Sequence, residues 1–175
     1  MVSNTKKIAL NGILGALTVI CLLLAAILPT TKLSLYAFSS FFVSIIIMEY
    51  KVAAGWAFYI ATNLVAFIVV PDKIRIIPYT VFFGLYGIIK YYTERIKNAP
   101  LEYILKYLYF NLCLAAAVFL VEKLFLVSEN IKLPLWAAVI IFQFVFLLYD
   151  YAYTLFIKYY ISRLRRIIKN ENSSN

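Results

Sequence analysis

Apolar stretches of about 16 to 25 residues follow one another along the chain, each closed by a short polar punctuation. At about 1.5 Å per residue, runs of this kind reach across most or all of a hydrocarbon core about 30 Å thick. The first, Ile8 to Leu28, has no ionised side chain, is introduced by Lys6 and Lys7, and is closed by Pro29-Thr30-Thr31-Lys32. Leu33 to Met48 and Val52 to Val70 follow, separated only by Glu49-Tyr50-Lys51, a join so short that the two must be antiparallel neighbours. A fourth run, Ile76 to Tyr92, carries Pro78 in its first turn, where a missing amide proton does little harm. Pro100 is placed to start the fifth, Leu101 to Val121, and the sixth is Leu133 to Ile157. The pattern predicts an all-α polytopic membrane protein with six transmembrane helices filling residues 1–160. A basic amphipathic tail, 161–175, lies along lipid headgroups, with Arg163, Arg165 and Arg166 set among Leu164, Ile167 and Ile168.

Composition sharpens this reading. The chain has 175 residues, of which 65% are apolar and 14% charged, so a water-soluble core is excluded and no room remains for a soluble catalytic or nucleotide-binding module. The net charge of +9 would point to nucleic acid in a soluble protein; in a membrane protein it sets orientation and attracts anionic lipid, and no nucleic acid partner is expected. With the amino terminus cytoplasmic, the outer side holds Lys32, Lys73, Arg75, Lys123 and Lys132 and the inner side the other twelve cations. Both termini are therefore expected in the cytoplasm, in a bacterial multi-pass plasma-membrane arrangement.

Candidate chemistry lies in the polar residues inside the runs, because a polar group in hydrocarbon is costly unless paired. Asn63, Asn111 and Gln143 sit at middle depth, where they either line a cavity or hydrogen-bond a neighbouring helix. Asp150 and Glu49 are the ionisable ones. For Asp150 three readings stand: a satisfied structural network, contact with another subunit, or a proton relay. Tyr149-Asp150 is similar to half of an intramembrane aspartyl protease site, but the Gly-x-Gly-Asp half is missing, and a single carboxylate cannot share a proton with a second. No histidine exists to act as a base, and Ser39, Ser40 and Ser44 have no partner base in the sequence. Cys21 and Cys113 lack metal-ligand spacing. Neither an enzyme nor a cofactor or metal is expected.

On the first helix, Ala9, Gly12 and Ala16 recur three and four apart, a small-residue face onto which another backbone can close. With the opening Lys6-Lys7-Ile8-Ala9-Leu10, the Pro29 that follows, the length and the six-run pattern, the chain resembles the substrate-binding S component of energy-coupling factor (ECF) vitamin transporters. The glycine pairs that family members often carry between helices two and three are replaced by Glu49-Tyr50-Lys51 and a single Gly55. The resemblance implies capture of a small water-soluble nutrient, with Ala9, Gly12 and Ala16 docking on a transmembrane coupling subunit that works with two ATPases in trans. It further implies a lid at Pro29 to Lys32 and a cavity in the outer halves of helices four to six. Tyr79, Phe82, Phe83 and Trp136 would offer stacking surfaces there, and Asn111 and Gln143 directed hydrogen bonds. Lys73 and Arg75 at its mouth either favour an anionic group or simply keep their charge in water. The alternative is a small membrane scaffold or accessory subunit that uses the same face without a cavity.

Overall fold

The computed structural model describes the backbone of residues 4–28, 30–96, 98–125 and 135–164, with the side chains of 4, 6, 118–138 and 163–164 left aside. The described residues form five α-helices: α1 (Asn4–Ile27), α2 (Lys32–Val69), α3 (Gly84–Thr93), α4 (Ala99–Phe125) and α5 (Leu135–Tyr159). Between α2 and α3 lie a 3-10 turn, Lys73–Ile76, and a π turn, Tyr79–Phe83; a second π turn, Tyr160–Leu164, follows α5. The chain divides into two compact units, residues 1–117 and 118–175.

In the first unit α1 is apolar all round but buried on one side only. Leu14, Thr18, Cys21, Leu22 and Ala25 are covered, while Ile8, Ile13, Ile20 and Ile27 stand open on other faces. A helix with no polar face and large exposed aliphatics is built for a solvent as apolar as its own side chains. The Thr18 hydroxyl is satisfied within the helix, donating to the Leu14 carbonyl at 2.8 Å.

α2 would measure about 57 Å if its 38 residues ran straight. It does not run straight. Lys51 is non-helical, with φ 74° and ψ 169°, a region that glycine alone occupies without strain. On either side of it the two arms fold back on each other. Tyr36 near the start shares a core with Ala66 and Val70 near the end, and Ile47 lies so close to Gly55 that a Cβ there would collide with its side chain. A second core joins Leu14 and Cys21 of α1 to Val43, Ile46 and Phe58 of α2 and Ile88 of α3.

Three helices among the described residues are long and apolar enough to cross a membrane: Lys7–Ile27, Lys32–Val69 and Val139–Ser162. The prediction of six transmembrane helices is corrected on this point, and the placement of both termini in the cytoplasm, read from the charges on the loops between those six, goes with it. The fourth run fails because the helix it ends in, Gly84–Thr93, has only ten residues, about 15 Å, and the run before it is broken by the 3-10 and π turns. The fifth lies on α4 (Ala99–Phe125), whose side chains from 118 on lie outside the described residues. The second and third runs are the two arms of α2 that meet at Lys51, counted together as Lys32–Val69. Most of the tail, residues 165–175, lies outside the described residues, as does Pro29 of the expected lid.

Candidate functional site

The interrupted stretch between α2 and α3 is where backbone polar groups need outside partners, since a π turn takes its carbonyls out of the usual α-helical register. Side chains supply the partners. The Tyr59 hydroxyl donates to the Thr80 carbonyl at 2.7 Å, and the Tyr109 hydroxyl reaches the Val81 and Phe82 carbonyls at 2.7 and 3.2 Å. Cys113 Sγ lies 3.6 Å from the same Val81 oxygen. Thr80 Oγ1 donates to Asn63 Oδ1 at 2.6 Å, and Asn63 Nδ2 to the Tyr59 carbonyl at 2.8 Å. The Phe82 ring is stacked on Tyr109 at 5.9 Å and meets Phe83, Tyr86 and Phe110 at 5.0 to 5.7 Å. A broken helix at membrane depth is tolerated where protein groups cover it in this way.

At the other end of α3 stands a charge network that the sequence reading missed. Lys90 and Lys106 are almost completely buried, their side chains 1% and 3% exposed. Lys90 Nζ lies 2.9 Å from Glu94 Oε1, four residues on, and Lys106 Nζ lies 2.6 Å from Glu102 Oε1, four residues back. A 3.7 Å contact, Lys106 Nζ to the same Glu94 Oε1, joins the two pairs and with them α3 to α4. The i, i+4 spacing of both pairs is visible in the sequence and was the available signal. Two of the twelve cations assigned to the inner side are thus held inside this network and say nothing about which side of a membrane they face. Among the described residues no group of three Cys, Asp or Glu is placed to hold a metal ion.

The other charges at the α2–α3 connection act as helix caps. Lys73 Nζ donates to the Phe67 carbonyl and, at 2.8 Å, to that of Val70, at the carboxyl end of α2. Arg75 donates to the Ala26 carbonyl at the end of α1 and to Asp72 Oδ2 at 2.8 Å, while its own carbonyl accepts from the Tyr36 hydroxyl at 2.5 Å. Cations at helix carboxyl ends satisfy orphan carbonyls and meet the negative end of the dipole. Of the two readings open for Lys73 and Arg75, neither a free anion trap nor a merely solvated loop describes these contacts.

The residues predicted to bind substrate are distributed over both units. Tyr79 is fully buried beside Tyr36 and Ala66, and Phe83 tilts against Tyr36 at 5.7 Å, so these two share one neighbourhood. Asn111 is exposed on α4 and its amide donates to the Tyr107 carbonyl at 2.8 Å. Gln143 is half-buried on α5, in the second unit, and Trp136 is on the same helix with its side chain outside the described residues. Asp150 is buried, and its carbonyl accepts from Thr154 at 2.9 Å. The docking residues Ala9, Gly12 and Ala16 are all exposed on α1, and a Cβ added at Gly12 would meet nothing within 4 Å. Beside them a shallow groove of about 470 Å³ runs between α1 and the second arm of α2, lined by Gly12, Gly15, Val19, Ala57, Ala61 and Thr62 among others.

The fold and these surfaces define an all-α protein with a few long hydrophobic helices, of the membrane-associated class. No known family matches the chain, and no curated protein or solved structure is similar to it.

Proposed function

We propose that this protein is a membrane-embedded subunit that captures a small water-soluble nutrient and passes it on within a larger assembly, in the manner of an ECF S component. The observation that supports this reading is the bare face of α1: Ala9, Gly12 and Ala16 lie open beside a groove floored by alanines, while the opposite side of the helix is packed. Small residues let a partner helix approach backbone to backbone, the contact a coupling subunit would make in the bilayer. ATPases would act in trans, anionic lipid would hold the basic tail, and neither catalysis nor nucleic acid binding has a part. The protein would be a multi-pass resident of a bacterial plasma membrane.

One observation favours the scaffold alternative, a small accessory subunit without a ligand cavity. Around Tyr79 and Phe83, residues assigned to the substrate, the space is taken up by the protein's own rings. Native mass spectrometry of the detergent-purified protein separates the two readings: a co-purified small molecule supports capture, and a bare chain supports the scaffold. Replacing both Gly12 and Ala16 by Trp is expected to leave ligand binding intact and to abolish uptake in cells. Uptake that survives the double substitution would show that α1 is not the docking helix.

A further inference from the structure

The groove beside α1 has two unlike ends. Lys7 Nζ stands 5.8 Å from the centre of the Tyr50 ring, and a Cβ on Gly15 would touch Phe58 and Thr62 at 3.7 and 3.8 Å, so α1 and the second arm of α2 run parallel. Ile8 and Ala54 therefore lie at one end of the groove, and Val19 and Val65 at the other. From Ile8 to Val19 the helix rises about 16 Å, half of a hydrocarbon core of roughly 30 Å, which is the depth of one leaflet. Polarity is graded along that path. Asn11 lines the first end, Thr62 midway has its hydroxyl turned to the Phe58 and Tyr59 carbonyls at 2.9 and 3.1 Å, and the far end is valine. Just beyond the first end stand Lys7, half-buried, and Lys51, exposed, and among the described residues neither is in an ion pair. One carboxylate, Glu49, adjoins these two ammonium groups in the chain, so positive charge is in excess there. Lys51 holds its place at φ 74° and ψ 169°, where glycine would sit without strain; its side chain, not its backbone, gives a reason for a lysine at that position.

We propose that this groove binds one anionic phospholipid, with an acyl chain lying along it from Ile8 to Val19 and the headgroup phosphate resting on Lys7 and Lys51. The match is one of charge and of length. Basic pockets at the ends of membrane helices hold anionic headgroups, each cation adding about a factor of five in affinity. A partner helix that crossed the bilayer would call for a groove along the whole span, whereas this one closes at half depth, where an acyl chain ends. Small side chains along the floor, Gly12, Gly15, Ala57 and Ala61, leave the volume that the chain fills. Of the three docking residues on α1 only Gly12 lines the groove, and the inference does not rest on the transport reading.

The test uses the full chain in micelles of an uncharged detergent at constant ionic strength. Its thermal unfolding midpoint is followed against phosphatidylglycerol, against phosphatidylcholine with the same acyl chains, and against glycerol phosphate, which has the headgroup charge and no chain. A ligand that binds the folded state alone raises the midpoint in a saturable way. Phosphatidylglycerol is expected to saturate, phosphatidylcholine to need a far higher mole fraction, and glycerol phosphate to give no shift. Lys51→Gly is expected to unfold no more easily than the wild type without lipid, its backbone strain being relieved, yet to saturate at about five times the mole fraction of phosphatidylglycerol. Ala57→Leu combined with Ala61→Leu fills the groove and is expected to abolish the saturable shift. The inference is overturned if the two lipids act alike, if glycerol phosphate acts as well as phosphatidylglycerol, or if Lys51→Gly or the leucine variant responds as the wild type does. A dimer in lipid-free micelles that the leucines break would give the groove to a second copy of the chain and overturn it as well. Should the leucine variant fail to fold, the three probes and Lys51→Gly decide alone.

Discussion

At the residue scale the chain solves the problem of polar groups in an apolar solvent mostly within single helices. Asn11, Asn63 and Asn111 all donate their amide to the carbonyl four residues earlier, those of Lys7, Tyr59 and Tyr107. A polar residue in an apolar run therefore need not mark a cavity, and sequence position alone does not distinguish the two cases. Outside the spans, the hydrogen bond from Arg75 holds the Asp72 carboxyl below the usual aspartate range, and the Ile74 amide adds to this. A lowered value in the folded state means the contact contributes in full above the usual aspartate range and is lost as the pH falls through the lowered value. The Asp72→Asn variant is accordingly expected to unfold more easily than the wild type near neutral pH and to converge with it in acid. Denaturant titrations at a series of pH values check this, and a difference that persists unchanged into acid would refute it.

At the element scale, apolar runs reveal that a segment prefers lipid without revealing which helical form it takes. Ile76 to Tyr92 reads as one span, yet the structure splits it between the end of a 3-10 turn, a π turn and the short helix Gly84–Thr93. The split is maintained by Tyr59 and Tyr109, whose hydroxyls come from other helices and cannot be assigned by periodicity. Removing the Tyr109 hydroxyl by Tyr109→Phe leaves the ring stack on Phe82 in place and takes its donor from the part-buried Val81 and Phe82 carbonyls. A loss of about 1 to 3 kcal/mol in stability is expected, together with faster amide exchange in the first turns of α3. Unchanged exchange there would mean that the π turn stands without its side-chain donors. The reversal at Lys51 was more legible, because Glu49-Tyr50-Lys51 interrupts two apolar runs with too little chain for anything but a tight turn.

At the scale of the whole molecule, long helices with outward-facing Ile, Leu and Phe have no reason to be stable in water. Expressed in cells, the protein is expected in the membrane fraction and to resist extraction at alkaline pH, a treatment that strips proteins held by charge. Release into the supernatant would place it on the bilayer surface. The first unit gathers α1, the two arms of α2, the broken connection and α3 around cores in which aromatic rings fill the space, so its rigidity comes from side chains separated widely in sequence.

What the sequence determined by itself was the solvent. The preference for hydrocarbon is a sum over consecutive residues, and a window of about 20 side chains carries the whole quantity. The exposed small-residue face of α1 belongs partly to the same category, since helical spacing puts Ala9, Gly12 and Ala16 on one side, though only the folded unit leaves that side bare. The number of long apolar helices, the π turn and the pairing of Lys90 with Lys106 through Glu94 were decided by tertiary structure. Each depends on a contact between groups on different helices, and in such a contact the distance, not the order of residues, sets the energy.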